Sequence, residues 1–560
     1  MLVILDDGPR RVFSEPFAVI TADVPAQVPA ALAAVQTALD QGRHVAGWLG
    51  YELGCALEPR LAPQQVPGAL LRLGVFGPPG EKAPPVFGRA YAGPLRPEWK
   101  AGDYESRFSR VKDYIAAGDI YQANLSFRTR FAFAGDPRGL YEQLLPQSGA
   151  AHCAYIDCGP HLLSLSPELF FDLSAGGAIT VRPMKGTYPR KLGAVEDVAA
   201  RAALAASEKD RAENLMIVDL IRNDLSRIAE PGSVEVRDLF KVETYPTLHT
   251  MVSTVTAQKR AGVGVADILR ALFPCGSVTG APKIRAMEIL RQLESSPRGA
   301  YCGAIGHFAP DGSARFNVAI RTLTVWGDEG ELGIGGGVVQ DSEAAGEYAE
   351  CLLKARFFET ARRPLELIET LRWESGFSRL AAHLARMESS ARVFGLAFDR
   401  DAATGALEKA VAGKQGALRV RLTLNEAGLH DATAHDLPFN PPHWTYAISP
   451  QRSDSRDMFL RHKTNWRDLY ESEVKRLGTD EVVFVNERGE LTEGARSNIF
   501  VVRDGKLLTP PLEAGVLDGR LRAELIAQGK AHEAGLTPDD LKGEVYFGNS
   551  LRGLIPAKRV

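Results

Sequence analysis

A lysine within a short basic segment is the first residue of this sequence whose type and setting offer chemistry. Residues 182–190 read Arg-Pro-Met-Lys-Gly-Thr-Tyr-Pro-Arg, which predicts a basic turn with Lys185 at its centre. A lysine in such a turn is either an inert counter-charge or, once it has lost its proton, a nucleophile. The acidic and glycine-rich segments elsewhere in the chain are its candidate partners.

Three glutamates offer hard oxygen ligands for a metal ion. Glu213 lies in a helical pattern, and Glu347 and Glu350 are three positions apart, which places both carboxylates on one helix face. Mg2+ keeps several of its waters and is held by one or two protein carboxylates, so these residues suit it. Glutamates on helices are more often solvated surface, and the spacing alone leaves both interpretations open.

A glycine run and an arginine offer an anion site. Gly335, Gly336 and Gly337 lack side chains, so backbone N–H groups can approach an oxyanion there, and Arg321 carries a planar pair of donors. A glycine-rich turn beside a surface arginine is the alternative that these residues leave open.

Composition limits the classes of protein that these residues can serve. The chain has 560 residues, more than one hydrophobic core usually supports, so two or more domains are expected. Its 66 basic and 69 acidic side chains give a net charge of -3, which disfavours binding to nucleic acid or to an anionic membrane. The six cysteines show neither metal-ligand spacing nor the density of a disulfide scaffold. We expect a cytoplasmic protein without a signal peptide or a membrane span.

The elements that must position these residues fall into two domains. A helical segment ends at Arg363-Pro364 and a new apolar run follows, so we place the domains at 1–361 and 362–560. The first mixes β-like runs such as Leu162-Leu163-Ser164-Leu165 with long helical patterns such as that from Ala202 to Arg227, which predicts an α+β sandwich. The Pro- and Gly-rich residues 77–95 predict a surface connection within this first domain.

The motifs of the first domain resemble those of the chorismate-utilising enzymes. The resemblance rests on Ser166-Pro167-Glu168, on residues 209–214 (Lys-Asp-Arg-Ala-Glu-Asn), on residues 273–283 (Phe-Pro-Cys-Gly-Ser-Val-Thr-Gly-Ala-Pro-Lys) and on residues 346–355. It covers about residues 100–360 and implies a chorismate-binding β/α sandwich. It also implies Mg2+ at Glu213 and Glu350, with Glu347 acting through water. The substrate contacts that it implies are Thr279, Tyr301, Arg321, Gly335, Gly336, Gly337 and Lys354.

Lys185 places the sequence within that family. Related anthranilate synthases carry a small residue there, so the lysine resembles the aminodeoxychorismate synthase branch. The resemblance implies that Lys185 attacks carbon 2 of chorismate while Glu168 protonates the departing 4-hydroxyl, and that ammonia then takes over at carbon 4. Gln122 stands where the water-using relatives carry a lysine base. Many relatives carry histidine where this chain has Thr250, beside His249, and the roles of these two residues stay open.

The nitrogen source follows from the cysteines. A glutaminase needs a cysteine nucleophile with histidine support, and none of the six cysteines has that setting. Cys275 is flanked by glycine but lies inside the chorismate signature, where we interpret it as packing. We therefore expect a separate glutamine amidotransferase subunit to deliver the ammonia.

Motifs after residue 362 resemble the fold-type IV pyridoxal-phosphate enzymes. They are residues 367–372 (Leu-Ile-Glu-Thr-Leu-Arg), 382–387 (Ala-His-Leu-Ala-Arg-Met), 463–465 (Lys-Thr-Asn) and 492–500 (Thr-Glu-Gly-Ala-Arg-Ser-Asn-Ile-Phe). Such an enzyme needs a lysine for the cofactor aldehyde, a carboxylate for the pyridine nitrogen and donors for the phosphate. The cofactor residues that the resemblance implies are Lys463, Glu493, Arg386, Leu521, Asn549 and Ser550.

These inferences combine into one hypothesis for the chain. We expect a bifunctional enzyme that aminates chorismate and then expels pyruvate, as aminodeoxychorismate lyases do, to give 4-aminobenzoate for folate synthesis. Three alternatives stay open: a C-terminal branched-chain or D-amino-acid aminotransferase, an anthranilate synthase, and a C-terminal docking scaffold without catalysis. Dimerisation of the C-terminal domain is open as well.

Overall fold

Two compact units make up the chain. The computed structural model describes residues 1–61, 68–245 and 248–560. The first unit comprises Met1–Pro84, Leu95–Phe131 and Tyr141–Ala361, and the second comprises Pro85–Pro94, Ala132–Leu140 and Arg362–Val560. In the described ranges, no helix is long and apolar enough to cross a membrane.

Helices and strands alternate along both units. The strands of the described residues are β1 Leu2–Asp6, β2 Arg11–Phe13, β3 Ala18–Ala22, β4 His44–Leu49, β5 Leu71–Phe76, β6 Ala90–Ala92, β7 Arg96–Pro97, β8 Gln122–Gly135, β9 His152–Asp157, β10 His161–Ser166, β11 Leu169–Leu173, β12 Ala178–Val181, β13 Met184–Pro189, β14 Glu235–Thr244, β15 Leu248–Gln258, β16 Gly280–Ala281, β17 Ala304–Phe308, β18 Ala314–Val318, β19 Thr322–Trp326, β20 Glu329–Val338, β21 Leu367–Trp373, β22 Leu418–Leu424, β23 His430–Asp436, β24 Trp444–Ser453, β25 Glu481–Asn486, β26 Leu491–Gly494, β27 Asn498–Arg503, β28 Lys506–Thr509, β29 His532–Glu533, β30 Val545–Asn549 and β31 Gly553–Arg559. The α-helices are α1 Val28–Asp40, α2 Leu53–Leu57, α3 Ala101–Ala116, α4 Pro137–Ser148, α5 Ala194–Ala206, α6 Glu208–Ser226, α7 Val265–Leu272, α8 Lys283–Leu293, α9 Ala344–Lys354, α10 Arg356–Ala361, α11 Leu380–Val393, α12 Arg400–Val411, α13 Asp468–Leu477 and α14 Arg520–Ala527.

The first unit is a sandwich of two sheets. One sheet has the strand order β16-β8-β20-β19-β10-β9-β1-β2, and the other has the order β13-β15-β12-β11-β18-β17-β4-β5-β3. A shared apolar core joins them, with Val3 and Ile156 from the first sheet and Ala46 and Trp48 from the second. The α+β sandwich predicted from the sequence is confirmed.

Helix α6 covers the outer face of the second sheet and sets the position of Glu213. Its buried apolar residues Ile217, Val218, Ile221 and Leu225 recur at helical spacing and belong to the core of that sheet. This stripe fixes the rotation of the helix, so Glu213 faces strand β13 and Lys185.

Two local predictions for this unit are wrong. The pattern from Ala202 to Arg227 is two helices, because the side chain of Ser207 accepts a hydrogen bond from the backbone N–H of Asp210 (3.2 Å) and starts α6 anew. The basic segment 182–190 holds strand β13 rather than a turn, since it pairs with β15 from Met184 to Pro189.

The second unit contains a three-stranded sheet, β21-β22-β23, and a sheet with the order β26-β25-β24-β31-β30-β27-β28-β29. Helix α11 packs on β21 and turns His383 and Arg386 toward Glu369. The prediction that residues 77–95 connect parts of the first domain is wrong for residues 85–94. Strand β6 pairs with residues 133–135, and Tyr91 is fully buried in the core of the second unit.

Candidate active sites

Lys185 lies at an irregularity in strand β13. The register with β15 shifts between Lys185 and Thr187, and the intervening Gly186 has a φ of 78°. A side chain at Gly186 would meet Asp210, because an ideal Cβ there lies 2.7 Å from the Asp210 Oδ1 atom. The bulge re-aims the strand locally. The Lys185 Nζ atom lies 3.7 Å from Glu213 Oε2, with the lysine side chain mostly buried.

The three glycines predicted as an anion site lie in strand β20, where they provide space. An ideal Cβ at Gly337 would lie 2.4 Å from Gln122 Nε2 and 2.9 Å from Lys185 Nζ. At Gly336 the same atom would lie 3.3 Å from Glu347 Oε2, and at Gly335 it would lie 2.3 Å from Ser126 Oγ. The glycines therefore let polar side chains from neighbouring elements converge on this strand.

Glu168 is buried beside this cluster. The Ser277 hydroxyl donates a 2.6 Å hydrogen bond to Glu168 Oε1. Burial raises the pKa of Glu168 to about 7, against the opposing effects of that hydrogen bond and of the charge on Lys185. A carboxyl group with this pKa is present in part as the acid near neutral pH.

The three predicted metal ligands lie around the same cluster. Glu347 accepts a 2.6 Å hydrogen bond from Ser342, and burial raises the pKa of Glu347. Burial would also raise the pKa of Glu350, but Lys354 Nζ, 2.9 Å from Glu350 Oε1, outweighs it and the pKa is lowered. Among the described residues, no group of three or more His, Cys, Asp or Glu side chains is arranged as a metal site. The candidate donor set is the pair of carboxylates Glu213 and Glu350. Glu213 Oε2 lies 3.7 Å from Lys185 Nζ, and the charge on Lys185 contributes to the lowered pKa of Glu350.

The predicted substrate contacts are partly brought together. Lys354 Nζ donates to the Gly335 carbonyl (2.9 Å) as well as to Glu350, so it belongs to the cluster. The ring of Tyr301 fills the space beside Gly333, and burial raises the pKa of its hydroxyl group well above the usual value. Thr279 is fully buried, and its hydroxyl donates to the Gly276 carbonyl (3.1 Å), which fixes the turn before β16.

Arg321 is a partly buried cation with an unusual backbone. It has a φ of 49°, and its guanidinium lies 5.9 Å from the centroid of the Phe357 ring. Burial lowers the pKa of Arg321. Within the described part of the chain it forms no ion pair with a carboxylate, which leaves its charge for an anionic ligand.

The structure separates the two residues whose roles the sequence left open. Thr250 is fully buried and donates to the Gly186 carbonyl (3.1 Å), on the side of Lys185. The neighbouring His249 points the other way and contacts Thr244 Oγ1 (2.9 Å) and Asp197 Oδ1 (3.1 Å). Alternation of side chains along a strand accounts for the separation.

Gln122 contributes an unsatisfied acceptor to the first site. Its side chain is 1% exposed, and its Oε1 atom is buried without a hydrogen-bond partner among the described residues. A buried acceptor without a partner is costly, so this atom is suited to a donor group of a ligand.

The second site surrounds Lys463. Its Nζ atom donates to Thr370 Oγ1 (3.0 Å) on strand β21. Burial lowers the pKa of Lys463 to about 7, and Arg386, Arg467 and Arg421 add to the effect against the opposing charge of Glu369. A fraction of this amine is therefore uncharged near neutral pH.

Glu493 is the buried acid of this second site. It accepts hydrogen bonds from the Tyr470 hydroxyl (3.0 Å) and from the backbone N–H of Leu517 (3.0 Å). Burial raises the pKa of Glu493 to about 7. Ionisation of this buried carboxyl group is costly, so a cationic partner would stabilise its charged form.

Arg386 and its neighbours form a network that sequence reasoning missed. Arg386 donates to both oxygens of Glu369 (2.8 and 2.6 Å) and to the Asp518 carbonyl (2.7 Å). His383 Nδ1 lies 2.7 Å from Glu369 Oε2, and His383 Nε2 lies 2.8 Å from Ser550 Oγ. The i, i+3 spacing of His383 and Arg386 was the available signal, because it places both on one face of α11.

The remaining cofactor candidates lie where two elements begin or end. Leu521 is in the first turn of α14, and its buried side chain packs beside Gly548, so its backbone is what it can offer a ligand. Asn549 accepts hydrogen bonds from the backbone N–H groups of Leu551 (3.2 Å) and Arg552 (3.0 Å), which shapes the loop that carries Ser550.

Family models match both the N-terminal and the C-terminal part of the chain. The model of the chorismate binding enzyme family matches residues 79–360. The chain belongs to the chorismate binding enzyme family. The amino-transferase class IV model matches residues 366–560, and a domain of this class implies pyridoxal phosphate. The resemblance stated from the motifs is thereby confirmed for both halves.

Individual relatives match the first half. Aminodeoxychorismate synthase component 1 of Klebsiella aerogenes is 45% identical over 282 residues, which are 49% of this chain and 61% of that protein. The Escherichia coli (strain K12) protein of that name is 42% identical over 280 residues, 49% of this chain and 60% of its own length. The chain thus spans about three-fifths of the length of these relatives.

A solved structure supports the fold of the first unit. The crystal structure of anthranilate synthase component I from Streptococcus pneumoniae TIGR4 has a TM-score of 0.53 and 23% sequence identity, and it covers 64% of this chain and 92% of that chain. At this identity the likeness shows the fold.

The residues of the second site fit pyridoxal phosphate. Lys463 offers an amine that is partly uncharged, Glu493 offers a buried carboxyl group, and Arg386, Asn549 and Ser550 carry donor groups of the kind that a phosphate needs. The sequence assigned roles to these five residues. Glu369 and His383 lie in the quoted motifs, but their roles, like that of Tyr470, come from their three-dimensional surroundings.

Proposed function

We propose that this chain makes 4-aminobenzoate from chorismate in two steps, amination in the N-terminal domain and elimination of pyruvate in the C-terminal domain. The observation that carries the proposal is the setting of Lys185, a mostly buried lysine between Glu213 and Gly337 whose charge opposes the rise in the pKa of Glu168. Anthranilate formation requires no lysine nucleophile at this position, whereas amination at carbon 4 through a covalent adduct does.

In the first step Lys185 and Glu168 act as nucleophile and acid. The Lys185 amine attacks carbon 2 of the ring, the double bonds shift, and the 4-hydroxyl leaves as water with the proton of Glu168. Ammonia then attacks carbon 4 and expels the Lys185 amine from carbon 2. The unsatisfied Gln122 Oε1 atom suits an N–H donor of the incoming ammonia.

Arg321, Tyr301 and Lys354 would bind the carboxylates of the substrate in this site. Thr279 would hold the adjoining turn in place through its hydrogen bond to the Gly276 carbonyl. Glu213 and Glu350 would hold Mg2+, with Glu347 assisting through water, and the ion would supply positive charge to a substrate carboxylate.

A separate glutamine amidotransferase subunit would supply the ammonia. Two relatives are called component 1, which supports a second component. The described cysteines are free, and five of the six are buried.

In the second step the residues around Lys463 act on the aminated product. Pyridoxal phosphate supplies an electron sink for the substrate amine when bound. Lys463 would remove the hydrogen on ring carbon 4, and Glu493 would hold a proton at the cofactor ring nitrogen. Arg386, Ser550, Asn549 and the backbone at Leu521 would bind the phosphate.

Product analysis tests the proposal directly. Purified protein is incubated with chorismate, Mg2+, ammonium and pyridoxal phosphate, and the products are identified by chromatography and mass. We expect 4-aminobenzoate and pyruvate in equal amounts, because each elimination releases one of each. Anthranilate as the aromatic product would contradict the assignment of Lys185.

A further inference from the structure

The chain Glu369–His383–Ser550 has a defined direction of hydrogen bonding. Burial alone would raise the pKa of Glu369, but Arg386 and the hydrogen bonds from Arg386 and His383 outweigh it and hold this pKa well below its usual range. An ionised carboxylate only accepts hydrogen bonds, so the His383 Nδ1 atom, 2.7 Å away, carries a hydrogen. The state of Nε2, 2.8 Å from Ser550 Oγ, is the remaining variable.

That variable decides what Ser550 presents to a ligand. When His383 is neutral, the Ser550 hydroxyl donates to Nε2 and turns a lone pair outward. When His383 is cationic, Nε2–H donates to Ser550 Oγ, and the hydroxyl hydrogen is free for another acceptor. A phosphate dianion accepts hydrogen bonds, so it is matched by the second arrangement.

The charges that face His383 favour the neutral form without a ligand. Burial lowers the pKa of His383, and the charges of Arg386 and Lys463 lower it further. Glu369 acts in the opposite direction but does not outweigh them. Arg379 donates to the Ser550 carbonyl (3.4 Å) and pairs with Glu524 on α14. A dianion beside Ser550 would reverse this balance by adding negative charge near the imidazole.

We propose that His383 is a positioning residue for the cofactor phosphate: it takes up a proton when the phosphate binds and thereby turns the Ser550 hydroxyl toward it. This inference rests on the proposed function of the C-terminal domain, which places the phosphate beside Ser550. Affinity for the phosphate ester then increases as the pH falls through the range in which free His383 is neutral.

Calorimetry on the full chain tests this coupling. Pyridoxamine phosphate is the probe, because it carries the phosphate but lacks the aldehyde that reacts with Lys463. Binding heats at pH 7, measured in buffers of different ionisation enthalpy, give the number of protons taken up. Pyridoxamine without phosphate is titrated in parallel, so that subtraction removes protons exchanged at the ring nitrogen and Glu493.

We expect the phosphate-dependent uptake to be at least about half a proton in the wild type and near zero in His383→Gln. Ser550→Ala should bind the phosphate ester about tenfold more weakly, since one hydrogen bond to a charged group is lost. His462→Gln is the matched control, because His462 contacts Ser390 (2.9 Å) rather than Ser550, and it should keep the wild-type proton uptake.

The possible failures are distinguishable. Tight binding of pyridoxamine phosphate without phosphate-dependent proton uptake would overturn the coupling and leave the cofactor assignment intact. Equal uptake in wild type and His383→Gln would also overturn it, by assigning the proton elsewhere. Failure of the wild type to bind the probe at all would contradict the proposed cofactor site, and the coupling with it.

Discussion

Burial brings the pKa values of two acids and one base in the two sites into the same range. It raises the pKa of Glu168 and Glu493 to about 7 and lowers that of Lys463 to about 7. Loss of hydration disfavours the charged form in each case, so the two classes shift in opposite directions. Near neutral pH each group is divided between its protonation states, which suits it to transfer protons.

The hydrogen bond from Ser277 sets the pH range of the first step. Glu168 must be protonated to release the hydroxyl, so the rate of amination should fall as pH rises through about 7. The hydrogen bond from Ser277 stabilises the Glu168 carboxylate and lowers its pKa. Ser277→Ala removes this donor, so the pKa of Glu168 should rise. We expect the alkaline limb of the pH–rate profile for amination to move to higher pH by about half to one unit. The rates are measured at a constant concentration of free ammonia.

Ser342→Ala is the control for this measurement. Ser342 donates to Glu347 rather than to Glu168, so its removal should leave the limb in place even where the rate changes. A limb that moved downward in Ser277→Ala would contradict the role of Glu168 as the acid.

Residue types could be predicted from the sequence further than their partners could. Lys185, Lys463 and Glu493 were identified from motifs, but Ser277 is 109 positions from Glu168 and Ser550 is 167 from His383. Contacts between distant segments depend on the whole fold, which short motifs do not encode.

At the scale of elements, strand β20 organises the first site because its glycines lack side chains. Its glycines leave room for Gln122, Lys185 and Glu347, which come from three other elements. Side chains at these positions would occupy the space that the cluster needs.

Gly337→Ala tests this role of the strand. The added methyl group would lie 2.4 Å from the Gln122 amide and 2.9 Å from Lys185 Nζ, so both side chains must move. We expect the amination rate to fall about a hundredfold, because misplacing a reacting group by about 1 Å has effects of this order. The rate is measured by the appearance of product from chorismate and ammonium.

Gly346→Ala is the matched control on helix α9, which carries Glu347 and Glu350. An ideal Cβ at Gly346 meets no atom within 4 Å, and alanine in a helix is favoured by about 0.5–1 kcal/mol over glycine. It should keep the wild-type rate. Equal rates in the two variants would contradict the space-providing role of Gly337.

The type of an element could be predicted where the apolar periodicity was clear. Its first or last residue could be predicted where the sequence contained a capping residue. Leu162-Leu163-Ser164-Leu165 lies within β10 as expected. The break between α5 and α6 had a signal in Ser207 followed by Asp210, a helix start that the apolar pattern concealed. The bulge at Gly186 had no such signal, because a lysine-glycine-threonine segment suits a turn equally well.

At the scale of the whole molecule, the two units are not simply consecutive in sequence. Residues 85–94 and 132–140 fold with the second unit, and Tyr91 is fully buried in its core beside Phe394 (ring centroids 5.5 Å apart). Proline and glycine in residues 77–95 suggested a surface connection, since composition alone does not show which core a short strand joins.

Joining the two sites in one chain has a kinetic consequence. The product of the proposed amination is the substrate of the proposed elimination, and linkage in one chain raises the effective concentration of the intermediate for the second step. The domains were predicted at 1–361 and 362–560, and that assignment remains a prediction for their activities.

The most direct test of the central claim separates the two steps by substitution. Chorismate, Mg2+, ammonium and pyridoxal phosphate are supplied to Lys463→Ala and to Lys185→Ala, and all ring products are identified by mass and retention. We predict that Lys463→Ala accumulates aminodeoxychorismate without 4-aminobenzoate. Lys185→Ala should make neither from chorismate, yet convert supplied aminodeoxychorismate to 4-aminobenzoate. Formation of 4-aminobenzoate from chorismate by either variant at the wild-type rate would contradict the account.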